Sequence, residues 1–274
     1  MAVSDLGSVI DLLSRLSFHE RMSQLGLRED RADVILPAAI VYQHLAQQAG
    51  VDEILVPGVG VKEGILLDLV DDLVSHRSHE VRQEQQLTKA AISLGRRFMF
   101  DESHGLQVAR LSLSLFDQLQ ELHKLGEHER RLLLSAAILH DAGAFISRKG
   151  HHRHSLYVLS RSELPGLSPT DMLMVANMAR YHRKSGPREA HPEFMRLSER
   201  NRDRTTRLSA ILRVADALDR SHLQNVDSVQ ASLKKKELTL TLDGQGDFLL
   251  ERWALSQKKD LFENTFGLTV SVAT

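Results

Sequence analysis

No cysteine occurs among the 274 residues. Disulfides, thiolate metal sites and cysteine nucleophiles are therefore excluded together, and a cytoplasmic, reducing setting is the simplest fit. Long apolar runs are also missing, with nothing near the roughly 20 residues that span a bilayer. The first residues, MAVSDLGSVIDLL, lack a basic start ahead of their apolar stretch, so no signal peptide and no membrane association are expected. Charge of one sign does not dominate: 35 basic residues face 36 acidic ones, for a formal net charge of -1. A chain held on nucleic acid by its overall field is far more basic, so nucleic acid is not an expected partner. Any anion site has to be local. Internal repeats and low-complexity tracts are absent too. What remains is an ordinary globular composition, 42% hydrophobic and 26% charged, long enough for one large domain or two modest ones.

Histidine stands out instead. There are 14 copies, several in short clusters, and its neutral ring is a common metal ligand that titrates near physiological pH.

Periodicity gives the organisation. Residues 4–16 follow a helical rhythm that Ser4 is placed to cap. A second helix is predicted from about Asp30 to Gln48, ending at Gly50. Glu53 to Val56 reads as a short strand, and GVGVKEGILLDLVDDLV turns back into helix. From about His79 to Leu223 the chain is nearly all helical, with breaks at Gly126, Gly150, Pro165, Gly186 and Pro192. After Asn225, DSVQASL and ELTLTLD alternate with period two around a Lys234-Lys235-Lys236 turn. Residues 247–262 read as helix and GLTVSVA as a closing strand. The expected fold class is mainly α. A helical core over 79–223 is flanked by a small α/β segment over 1–78 and a small α+β appendage over 224–274.

The chemistry centres on His140-Asp141, at the end of the apolar helix RRLLLSAAILHDAGAFI. An adjacent imidazole and carboxylate are costly to bury without partners. A divalent metal supplies one, taking ring nitrogen and carboxylate together. His104 lies upstream in HGLQVARLSLSLF and Asp216 downstream in LSAILRVADALDR. His154 and His182 follow the pair in GHHRHSLYVL and ARYHRKSGP. A single buried histidine is usually a satisfied core residue; an ordered set argues for a site. The six candidates His104, His140, Asp141, His154, His182 and Asp216 suit one or two ions such as Mn²⁺ or Mg²⁺, with Asp141 bridging as the central catalytic group. Two ions roughly 3.5–4 Å apart can generate hydroxide and clamp a phosphoryl group. Arg148, Lys149, His151, Arg183 and Lys184 flank the histidine clusters and are the candidates for phosphate contact, against the plain alternative of exposed loops.

Other signals carry less. Gly58, Gly60 and Gly64 follow GxGxxxG spacing rather than the dinucleotide fingerprint, which reads as a tight turn feeding a helix. The arginines from Arg196 to Arg207 are interrupted by Glu199 and Asp203, as on a solvated helix face. Trp253 reads as packing in the appendage.

The H…HD…D order resembles that of HD-domain phosphohydrolases. The likeness narrows further. HDAGAFISRKGHHRHSLYVL, ANMARYHRKSGP and LSAILRVADALDRSH resemble the C-terminal half of the exopolyphosphatase / guanosine-pentaphosphate phosphohydrolase family. ERMSQLGLREDRADVILPAAIVYQHLAQQAG and VDEILVPGVGVKEGILLDLV resemble the end of that family's actin-like phosphatase module. The resemblance covers essentially the whole chain. It implies a hydrolase acting on polyphosphate or a guanosine penta- or tetraphosphate-like substrate. It also implies a homodimer, or assembly with a separate actin-like chain. Two departures matter. The glycine-rich phosphate loops of the actin-like module do not occur here, so the chain reads as a C-terminal half. Many active HD phosphohydrolases also carry a lysine in HDxGK, where this chain has Ala144. The alternative reading is a non-catalytic polyphosphate-binding or dimerisation module with a vestigial HD site.

Overall fold

The computed structural model describes residues 2–56, 58, 60–74 and 76–273. It divides into two compact units, Met1–Ser75 and His76–Thr274.

In the first unit the helices are α1 (Val3–Arg15), α2 (Phe18–Leu25), α3 (Glu29–Ala32), α4 (Ile35–Ala49) and α5 (Val61–Val74). Ser17 starts α2 with a reciprocal box: its hydroxyl accepts from Glu20 N, and the Glu20 carboxylate accepts from Ser17 N. Gly50 ends α4 in the left-handed conformation, as its place after the apolar run predicts. A small core of Leu6, Leu13 and Ala39 gathers Ile10, Ile35, Leu36 and Ile54 around it. The strand expected at 53–56 does not form. Its place is taken by a single antiparallel bridge between Ala2 and Glu53, and Leu55 and Val56 are exposed. An extended segment becomes a strand only when a neighbour pairs along its length, and among the described residues that single bridge is the pairing offered. Among its described residues this unit is therefore helical rather than α/β.

The second unit begins with α6 (His76–Arg97), α7 (Glu102–Gln118), α8 (Gln120–His123) and α9 (Glu127–Leu139). A 3-10 turn (Ala142–Phe145) leads to α10 (His151–Leu159), α11 (Pro169–Tyr181), α12 (Pro192–Met195) and α13 (Glu199–Ala217). β1 (Val226–Lys234), β2 (Glu237–Gly244), α14 (Leu249–Lys258), α15 (Asp260–Phe266) and β3 (Thr269–Val272) complete it. The unit is mainly α, as predicted. Its centre is α9 and α13, whose residues 132–139 and 208–217 are buried throughout. Helices that are apolar all round belong inside, with α6, α7 and α11 packed against α9. Caps set the starts: Asp101 accepts from His104 N to open α7, and Ser168 with Asp171 boxes α11, where Pro169 fills the first turn.

The sheet order is β1-β2-β3, with β1 and β2 antiparallel and β2 and β3 parallel. Lys234 pairs with Glu237, so Lys235 and Lys236 form the predicted turn, and Lys235 takes the positive φ that such a turn requires. Val226, Val229, Leu238, Leu240 and Val270 bury one sheet face in the same core as the helices. The segment 224–274 thus lies within the unit that carries the helical body. No helix among the described residues is long and apolar enough to cross a membrane.

Candidate metal and phosphate site

Helix ends deliver the site. His104 lies in the first turn of α7, His140 and Asp141 directly follow α9, His151 opens α10, His182 follows α11, and Asp216 lies near the end of α13. Two glycines permit the approach. A Cβ on Gly105 would stand 2.7 Å from the Ile138 carbonyl oxygen, so glycine lets α7 close on α9 and bring His104 to His140. A Cβ on Gly143 would stand 2.1 Å from Ser155 N and 2.3 Å from the His151 carbonyl oxygen. Only glycine lets the 3-10 turn lie on the first turn of α10. Ser155 locks this contact: its hydroxyl donates to the His140 carbonyl at 2.7 Å and accepts from Gly143 N at 2.9 Å.

Four imidazole Nε2 atoms converge. Those of His104 and His140 are 3.2 Å apart, as are those of His151 and His182. Asp141 Oδ1 is 3.0 Å from His151 Nε2, 3.4 Å from His182 Nε2 and 3.8 Å from His140 Nε2. Asp216 Oδ1 faces His104 and His140 at 3.5 and 3.7 Å, while its other oxygen accepts from the Lys258 ammonium. The ligand atoms fall into two close groups that share Asp141: one adds His104 and His140, the other His151 and His182.

The far side of each ring is held. The Nδ1 atoms of His140, His151 and His182 face the carbonyl oxygens of Ala137, Arg148 and Ala179, and His104 Nδ1 meets Asp219 Oδ2 at 2.7 Å. Metal-ligating histidines are oriented in this way, with the outer nitrogen donating so that the inner lone pair is presented. Asp141 Oδ1 is buried without a hydrogen bond. The shared carboxylate oxygen of Asp141 and the four inward nitrogens are a donor set that fits a divalent cation.

Burial disfavours ionised Asp141, but the adjacent His140, His151 and His182 rings outweigh it and hold the carboxyl well below the usual carboxylate range. Asp216 is likewise held down, against its burial, by Lys258 and His104. Burial pushes the rings of His140 and His182 down, the latter to about 3. Burial also opposes charge on His104, yet hydrogen bonds to Asp216 and Asp219 raise it to about 9. The acids stay charged, and two of the ring nitrogens stay neutral.

The expected residues His104, His140, Asp141, His182 and Asp216 are brought together. His154 is not; His151, expected as a phosphate contact, takes the place beside Asp141. The reason is helical phase. His151, Ser155 and Leu159 form the buried face of α10, and His154 lies one step off it. The sequence reading also missed Asp219, His222 and Lys258. Asp219 stands three residues after Asp216 in ADALDR, a spacing that places both on one face. His222 stacks on the His104 ring, with centroids 3.6 Å apart. Lys258 had no local signal. Beside these side chains opens a cleft of about 360 Å³, lined by Arg183 and Lys184 but not by Arg148 or Lys149.

Residues 87–264 match the family model described as Ppx/GppA phosphatase, domain III. Relatives described as guanosine-5'-triphosphate,3'-diphosphate pyrophosphatases are 28% identical over 230 residues in Vibrio campbellii and 26% over 228 in Vibrio vulnificus. One from Photobacterium profundum is 28% identical over 229 residues. Each match covers 82% of this chain and 43% of the relative, so the chain spans less than half the length of these proteins. With nearly two thirds of its length matched by the domain III model, the chain belongs to the Ppx/GppA phosphatase family.

Proposed function

We propose that the chain carries an HD-type, divalent-metal-dependent phosphohydrolase site for a phosphate ester or anhydride, of the polyphosphate or guanosine penta- or tetraphosphate kind. The observation that carries this reading is the convergence of four Nε2 atoms and two carboxylates at the floor of a cation-lined cleft. The names of the relatives support the substrate class. His104, His140, Asp141 and Asp216 would hold one ion; Asp141, His151 and His182 would hold a second. When bound, such ions make hydroxide available near neutral pH and offset phosphoryl charge. The chain's own groups do the rest. Asp141 keeps its charge at the half-buried cleft floor. Asp219 and the three backbone carbonyls fix ring orientation, and Arg183 and Lys184 meet the phosphate at the cleft wall.

The test is turnover of pyrophosphate, polyphosphate and guanosine pentaphosphate by the purified chain, with and without chelator. Turnover abolished by chelator, restored by Mn²⁺ and absent in Asp141→Asn supports the reading. The second reading, a non-catalytic binding or dimerisation module, draws support from Ala144 in place of the HDxGK lysine. Phosphate-ligand binding that persists in Asp141→Asn, with no turnover by the wild type, would favour it. A partner chain, either a second copy or an actin-like protein, is supported by exposed apolar side chains on α4 and α5, among them Ile40, Val41, Leu45, Ile65 and Leu66. Sedimentation as a monodisperse monomer at micromolar concentration would count against self-association.

A further inference from the structure

The loop after the HD pair brings no lysine to the cleft, since Ala144 stands at the motif position and Lys149 lies off the lining. The lysine that reaches the ligand set comes from the far end of the chain. Lys258, the last residue of α14, donates to Asp216 Oδ2 with its side chain largely buried. An ammonium carries three N–H donors. One goes to Asp216, which leaves donor capacity for a ligand on a residue that lines the cleft. Arg213 of α13 and Arg220, three residues past its end, line the same cleft. Arg213 is 2% exposed; its Nη2 donates to Asp260 Oδ1 at 2.8 Å, while Nε and Nη1 are buried without a hydrogen bond. Arg220 is exposed on the same wall.

The charge balance points the same way. Among the described residues, Arg183, Lys184, Arg213, Arg220 and Lys258 line this cleft. The carboxylates there are Asp141, Asp216 and Asp260. A chain with formal net charge -1 thus concentrates a cationic excess in one concavity, which suits a ligand with at least two negative charges.

We propose that Lys258, Arg213 and Arg220 form the phosphate-binding wall of the cleft, with Lys258 bridging a bound phosphate to Asp216. The ligand is a phosphorylated compound with two or more negative charges. The proposal rests on reading the cleft as a phosphate site, and not on metal dependence. It assigns the phosphate contacts to the α13 end and α14 in place of Arg148 and Lys149.

Pyrophosphate binding to the full, chelator-treated chain tests this by calorimetry. Trp253, the single tryptophan, lines the same cleft and gives an independent fluorescence signal. Loss of a charge-assisted hydrogen bond predicts about tenfold or more weaker binding in Lys258→Met. Lys258→Arg keeps the charge and should bind within about threefold of wild type. Arg220→Met, at an exposed position, should weaken binding several-fold and decides the matter if Lys258→Met does not fold. Arg148→Met and Lys149→Met should bind like wild type. Wild-type affinity in both Lys258→Met and Arg220→Met overturns the proposal, as does loss confined to the Arg148 and Lys149 variants or no pyrophosphate binding at all. Failures remain distinguishable: pyrophosphate binding without turnover sinks the enzyme reading alone, whereas turnover with a KM insensitive to both variants sinks the wall alone.

Discussion

Gly143→Ala adds one methyl group at the contact on which the site depends. Its Cβ would stand 2.1 Å from Ser155 N, 2.3 Å from the His151 carbonyl oxygen and 2.6 Å from the His154 carbonyl carbon. All three are backbone atoms, so no side chain can swing away. Relief requires the 3-10 turn and α10 to separate by more than an ångström. Overpacking in a core costs about 1–3 kcal/mol where side chains can adjust, and here the upper end applies. Separation also strains the two Ser155 hydrogen bonds, each worth about 1 kcal/mol. A total of about 3–5 kcal/mol, at about 2–4 °C per kcal/mol for a unit of this size, lowers Tm by roughly 6–20 °C. Because His151 opens α10, it withdraws from Asp141 as the turn moves. Thermal melts by circular dichroism, together with Mn²⁺ binding to the folded variant, read both effects. Gly126→Ala is the control. Its Cβ would meet only Glu129 Oε2 at 3.7 Å, an ordinary contact, and Tm should stay within about 2 °C. Equal melting and equal metal uptake in Gly143→Ala and wild type would refute the account of how the site is assembled.

Asp141→Asn keeps shape but removes the charge shared by both ligand groups; Mn²⁺ affinity and any turnover should fall by orders of magnitude while the melting curve changes little. His151→Ala should cost one bound ion per chain and His154→Ala none, measured by elemental analysis after Mn²⁺ loading. His123 gives a pH test away from the site. It is fully buried, with Nε2 at the Phe116 carbonyl and Nδ1 accepting from Leu125 N, and burial pushes its ring below the ordinary 6.5. The unfolded chain therefore takes up a proton that the folded one refuses. Its contribution to stability is intact above about pH 6.5 and falls as pH drops toward the folded value. Urea midpoints between pH 7.5 and 5.5 should decline less steeply in His123→Gln than in wild type; identical slopes would contradict this.

The helical body was legible because α7, α9, α11 and α13 are long and strongly periodic, and because their ends carry Ser, Asp, Pro or Gly at capping positions. The hairpin was legible from its period-two alternation. The strand at 53–56 was over-read, since composition shows that a segment can extend but not that a neighbour is there to pair with it. Asp141, His104 and Asp216 were placed by motif order, which survives without knowledge of packing. The choice between His151 and His154 was not, because both sit in one short basic run, and only the phase of α10 against Gly143 decides which ring turns inward. Lys258 lay beyond reach for another reason. Its partner is 42 residues earlier in the chain, and the strands between them give no sign of where α14 returns.

Calorimetric titration of the chelator-stripped, folded wild-type chain with Mn²⁺ tests the central claim most directly. Two ligand groups joined at Asp141 predict saturable uptake of up to two ions per chain, abolished in Asp141→Asn. A folded wild-type protein that takes up no Mn²⁺, Fe²⁺ or Zn²⁺, or an Asp141→Asn variant that binds them as tightly as wild type, would contradict it.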